Sequence, residues 1–157
     1  MSLVIDVFFA NEEELMHYAE KFAHNAPDNA TVYLEGELGA GKTTFARGFL
    51  RGLGFMGFVR SPTYTLVEPY ELNKIKVYHF DLYRIADPEE LSFLGIEEYF
   101  SESAVRLIEW PKQGNGFLLP ADVECEIDLQ SSGRKMILRA HSLMGETWLA
   151  KMKYEKT

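Results

Sequence analysis

A chain of 157 residues, 46% of them hydrophobic, can bury one sizeable core but not two comfortable ones, so a single globular domain over 1–157 is expected. A formal net charge of −8 opposes unaided binding to a nucleic-acid backbone, whose affinity comes largely from Lys and Arg neutralising phosphates. Cys125 is the only cysteine, which excludes an internal disulfide and a multi-cysteine metal site, and no apolar run approaches the roughly 20 residues that span a bilayer. The expectation is a cytoplasmic protein without membrane contact, in which Cys125 is a small core residue.

In chain order, residues 3–10 read as a first strand. Asn11 followed by three glutamates marks a helix start, with the acids favouring the positive end of the dipole. Leu15, Tyr18, Ala19 and Phe22 recur at helical spacing. After the break at Pro27–Asn29, residues 31–34 form a short β-favouring run that ends directly at Gly36. A helix is predicted from Lys42 to about Leu53, with Phe45, Phe49 and Leu53 on one face. Residues 64–70 and 75–80 read as an antiparallel hairpin, joined by 71–74. Helices are expected behind Asp87-Pro88 and over 96–100, and a buried strand over 104–108. Residues 123–129 and 135–140 alternate apolar with polar side chains, as two closing antiparallel strands around Ser131-Ser132-Gly133 do.

The chemistry sits in Gly36-Glu37-Leu38-Gly39-Ala40-Gly41-Lys42-Thr43, a complete match to the P-loop pattern G-x-x-x-x-G-K-[ST]. The context agrees, because a hydrophobic strand enters the loop and a helix leaves it. Glycines there let backbone N–H groups turn toward phosphate oxygens, and the helix N-terminus adds positive potential. In this pattern Lys42 reaches the β- and γ-phosphates, Thr43 offers its hydroxyl to Mg2+, and Thr44 stands near the α-phosphate.

A P-loop leaves the magnesium and the attacking water underdetermined, so a second acid is needed. Asp81 and Glu109 each end a hydrophobic run, and either carboxylate could hold Mg2+ or orient water. Ser61-Pro62-Thr63 lies where a loop could sense the γ-phosphate; an ordinary turn is the alternative. Arg84 suits a transition-state arginine or a structural pair with a carboxylate. His79 suits proton transfer or a hydrogen-bonded place beside a sheet, and Trp110 a lid over the site or plain core.

The blocks Gly36 to Thr44, Ser61-Pro62-Thr63-Tyr64-Thr65-Leu66-Val67-Glu68, Tyr78-His79-Phe80-Asp81-Leu82-Tyr83-Arg84 and Leu107-Ile108-Glu109-Trp110-Pro111 occur in the order seen in the TsaE family, formerly called YjeE, and the chain resembles that family over about half its length. The resemblance implies an α/β, P-loop NTPase-like three-layer fold with a mixed parallel and antiparallel central sheet. It implies weak intrinsic ATPase activity with ATP and Mg2+. It implies action beside the TsaD and TsaB proteins, which form threonylcarbamoyladenosine in tRNA, with tRNA contacted only indirectly. Carried over residue by residue, Lys42, Asp81 and Glu109 become catalytic, Thr43, Glu109 and Asp81 the metal residues, and Ser61, Pro62 and Thr63 a switch-like loop. ATP-binding residues would be Leu38, Gly39, Ala40, Gly41, Lys42, Thr43 and Thr44, with Asn11, Ser132, Gly133 and Arg134 on the adenine side. The rival functions are a small-molecule kinase using the same P-loop, and an adaptor in which hydrolysis is incidental.

Overall fold

The computed structural model describes residues 3–72 and 74–154; Asn73, in the expected hairpin connection, and both chain ends lie outside them. One seven-stranded sheet organises the chain, in the order β1-β7-β6-β2-β5-β4-β3. Its strands are β1 (Val4–Phe9), β2 (Ala30–Glu35), β3 (Val67–Leu72), β4 (Ile75–Asp81), β5 (Val105–Glu109), β6 (Val123–Gln130) and β7 (Gly133–Ala140). β2 runs parallel to both β5 and β6, and β4 parallel to β5, while the outer pairs β1–β7, β6–β7 and β3–β4 are antiparallel. The mixed sheet expected from the sequence is therefore present. Pro69 falls on edge strand β3, where a missing N–H is tolerated.

Helices α1 (Glu12–His24), α2 (Lys42–Gly52) and α5 (Leu143–Tyr154) cover one face, and the short α3 (Glu90–Phe93) and α4 (Ile96–Ser101) cover part of the other. Strand alternation sorts the side chains. Val77, Val105 and Leu107 point into the cluster under α1 and α2, where Phe22, Phe45 and Phe49 are fully buried; Tyr78, Phe80 and Ile108 point into the cluster under α3 and α4. Cys125 lies in the first cluster, and burial pushes its thiol up, as befits an inert core residue.

Three local outcomes differ from the sequence expectation. Residues 64–66 do not extend the hairpin: the Pro62 carbonyl accepts the Leu66 N–H at 2.7 Å, and Leu66 takes a φ of 74°. The helix behind Asp87-Pro88 shrinks to four residues, because Pro88 and Glu89 form a turn before it. The strand pair β6–β7 does not close the chain, since α5 follows. Ser142 Oγ accepts the Gly145 N–H at 3.0 Å at its start, and Trp148 stacks on Phe22 with ring centroids 4.0 Å apart. The Trp148 indole N–H donates to the Phe22 carbonyl at 2.8 Å, so the ring is buried without an orphan donor.

Candidate functional site

The parallel strands β2, β5 and β4 deliver their C-terminal ends to one place. In register, Leu34 lies beside Glu109, and Glu109 beside Asp81. β2 then runs into the glycine-rich loop and α2 leaves it. Two glycines are required by geometry. A Cβ on Gly36, at φ 150°, would lie 2.5 Å from the Ile127 carbonyl oxygen, and one on Gly41, at φ 122°, 2.7 Å from Leu15 Cδ2.

The two N-terminal helix ends are finished differently. On α1, Asn11 Oδ1 accepts the Glu14 N–H at 3.0 Å, Glu14 reaches back to the Ala10 N–H at 2.9 Å, and three acids fill the first turn. On α2, Gly41 is the N-cap, no side chain caps it, and the first turn has no acid. Free N–H groups with uncompensated positive potential suit an anion.

A cleft of about 200 Å3 opens at this helix end, between the loop, Thr63, Asp81, Glu109 and Trp110. Lys42 crosses it, donating to the carbonyls of Gly36 at 2.5 Å and Glu37 at 2.9 Å, with its ammonium 4.4 Å from the centre of the Trp110 ring. Burial pulls the Lys42 pKa down, while the charges of Glu109 and Asp81 oppose that shift. Thr43 Oγ1 donates to Glu109 Oε2 at 3.3 Å. Glu109 Oε2 also meets His79 Nε2 at 2.6 Å, and both side chains are buried. Asp81 takes the Thr63 hydroxyl on Oδ2 and the Tyr83 N–H on Oδ1, each at 3.0 Å, and Thr63 Oγ1 lies 2.8 Å from Ser61 Oγ.

Lys42, Thr43, Asp81, Glu109 and Thr63 thus meet at one cleft, with Leu38, Gly39, Gly41 and Thr44 along its wall. The adenine-side residues separate. Arg134 reaches the loop, donating from Nε to the Ala40 carbonyl at 2.9 Å. Gly133 packs against Phe9, where a Cβ would lie 2.2 Å from the carbonyl oxygen, and Ser132 is exposed in the β6–β7 turn. Asn11, turned to cap α1, lines a separate groove with Phe8, Tyr18 and Lys21. Arg84 lies over the exposed Tyr64 ring at 4.3 Å, outside the residues that line the cleft.

Glu12 is a site residue that the sequence did not single out: it lines the cleft, accepts the Thr44 hydroxyl at 3.4 Å and lies 3.7 Å from Arg134. Its only signal was a place in the acidic first turn of α1, which helix electrostatics already explained. A neighbouring hollow of about 270 Å3 at Gly36 sets Glu35, Glu37, Glu126 and Asp128 against one cation, Lys112, and is a poor host for phosphate.

The donors at the cleft are hard oxygens, the Thr43 hydroxyl and the Glu109 and Asp81 carboxylates. This set suits Mg2+, which keeps several waters and takes one or two carboxylates beside substrate phosphates.

Sheet, loop and helices define an α/β protein of P-loop NTPase-like architecture. The family described as threonylcarbamoyl adenosine biosynthesis protein TsaE matches residues 9–137, and the chain belongs to that family. It is 44% identical over 144 residues to the tRNA threonylcarbamoyladenosine biosynthesis protein TsaE of Haemophilus influenzae, covering 88% of this chain and 91% of that one. It is 32% identical over 139 residues to the protein of the same name from Aquifex aeolicus, covering 87% and 96%. The crystal structure of YdiB from Bacillus subtilis superposes with a TM-score of 0.85 at 29% identity, over 98% of this chain and 96% of that one.

Proposed function

We propose that this chain binds Mg-ATP at the Gly36–Thr44 loop and hydrolyses it slowly, as an accessory ATPase to the TsaD and TsaB proteins in forming threonylcarbamoyladenosine in tRNA. The support is one juxtaposition: an uncapped, acid-free helix N-terminus at the complete P-loop pattern, with two carboxylates facing it from adjacent parallel strands.

In this account Lys42 exchanges its two carbonyl partners for phosphate oxygens, and the N–H groups of the first turn of α2 hold the remaining oxygens. Thr43 and Glu109 are the groups that would hold Mg2+, which when bound offsets charge on the β- and γ-phosphates. Glu109 Oε1 has no hydrogen bond among the described residues, whereas both oxygens of Asp81 are occupied by Thr63 and Tyr83. Asp81 therefore holds the Ser61-Pro62-Thr63 loop through Thr63 and would orient a water, while Glu109 would be the carboxylate that holds Mg2+. An arginine supplied by a partner is worth about 10³–10⁵ in rate, so a site completed in a complex is nearly idle alone. The acidic surface keeps contact with tRNA indirect, through the partners.

Incubation with γ-labelled Mg-ATP and analysis of every labelled product tests this reading. Free phosphate is the expected product. A labelled metabolite without free phosphate would replace hydrolysis by kinase chemistry.

A further inference from the structure

His79 is fully buried, yet it sits two residues before Asp81 on β4 and across from Leu107 on β5, on the face that carries Glu109. Its Nε2 lies 2.6 Å from Glu109 Oε2, the oxygen that also accepts the Thr43 hydroxyl, and its Nδ1 is buried with no hydrogen-bond partner among the described residues. Two lone pairs facing each other at 2.6 Å repel, so a hydrogen lies between Nε2 and Oε2. A carboxylate oxygen only accepts, so Nε2 is the donor of this pair.

We propose that His79 is a positioning residue for Glu109: an imidazole that donates from Nε2 to Oε2, pins that oxygen next to Thr43 and leaves Oε1 turned to the cleft. The role rests on the ATPase reading given above for its catalytic consequence, but not for its geometry. Nothing else fixes the carboxylate so firmly. Thr43 is a longer and weaker partner at 3.3 Å; Val77 and Leu107 lie beside His79 in the core, and Glu68, across from it on β3, takes the Thr65 hydroxyl.

Nitrogen-15 spectra of the ligand-free chain labelled at histidine test the first half. His79 resonances are assigned by their loss in His79→Gln. A hydrogen on Nε2 is the expected pattern. An Nε2 that carries no hydrogen overturns the proposal.

Kinetics test the second half with two variants. His79→Leu removes the donor while filling the buried position with a side chain of similar size, and His79→Gln places an amide N–H near the position of Nε2. The expected result is a fall in kcat for phosphate release of about ten-fold or more in His79→Leu, with KM for ATP changed by less than about three-fold and most of the rate restored in His79→Gln. Equal rates in His79→Leu and the parent, or no rescue by glutamine in a folded variant, overturn it. If the parent chain itself releases no phosphate, the ATPase reading fails instead. The positioning claim is then decided by the gain in ADP affinity on adding Mg2+, which must fall about ten-fold in His79→Leu and return in His79→Gln.

Discussion

Gly48 is one of two glycines at which α2 meets the backbone of α1. A Cβ there would lie 2.5 Å from the Met16 carbonyl oxygen and 2.9 Å from Ala19 Cβ, both on α1. The carbonyl is fixed by its own helix and cannot rotate aside, so Gly48→Ala must part the two helices. Overpacking of this kind costs up to about 3 kcal/mol, and the better helix propensity of alanine returns about 1 kcal/mol, for a net loss of about 2 kcal/mol. For a chain of this size that lowers the thermal midpoint by about 4–8 °C. Differential scanning calorimetry of the variant measures it directly. Gly52→Ala meets the Glu20 carbonyl oxygen at 2.5 Å and should behave alike, and the double variant should cost less than the sum, because the helices part only once. A midpoint unchanged or raised in Gly48→Ala would refute the packing argument. Since α2 begins at Lys42, the same variant should also weaken ATP binding through displacement of the loop.

Two further outcomes follow from the geometry. Burial first, then the hydrogen bond and charge of Glu124, push the Glu35 carboxyl up to about 7, while the bond with Glu35 holds Glu124 down. The folded chain keeps a proton that the unfolded chain releases, so stability is lost as pH rises from the ordinary glutamate range through about 7. After allowance for solvent contact and the opposite shift of Glu124, Glu35→Gln should gain about 1 kcal/mol at about pH 8 and nothing at about pH 5, measured by urea unfolding; an equal gain at both would contradict the shared-proton account. Thr63→Val removes the hydroxyl that ties the 61–66 turn to Asp81. Amide exchange over 62–66 should accelerate while the thermal midpoint falls by no more than about 4 °C, and unchanged exchange would show that the tie does not hold the turn.

The strand–loop–helix around Lys42 was legible in the sequence because every part of it is local: a short apolar run, a complete loop pattern, and aromatic residues at helical spacing. Asp81 and Glu109 were legible as strand-end acids for the same reason. What the sequence left open depends on tertiary approach. That Thr63 rather than Ser61 meets Asp81 follows from a turn at Pro62–Leu66, where β-favouring residues are overridden by the Pro62–Leu66 hydrogen bond. Glu12 reaches the cleft only because α1 packs on α2. Helix α5 escaped notice because Gly145 and Thr147 weaken its local pattern and its buried residues, Trp148, Leu149 and Met152, make a narrow stripe. The sequence suits Arg84 to a transition-state charge or a carboxylate pair, whereas in the fold it lies over the ring of Tyr64.

The measurement that bears most directly on the account is phosphate release from Mg-ATP by this chain alone and with TsaD and TsaB, beside Lys42→Ala. Slow release alone, strong stimulation by the partners, and loss of both in Lys42→Ala are predicted. ATP bound but no phosphate released under either condition, or release undiminished in Lys42→Ala, would contradict it.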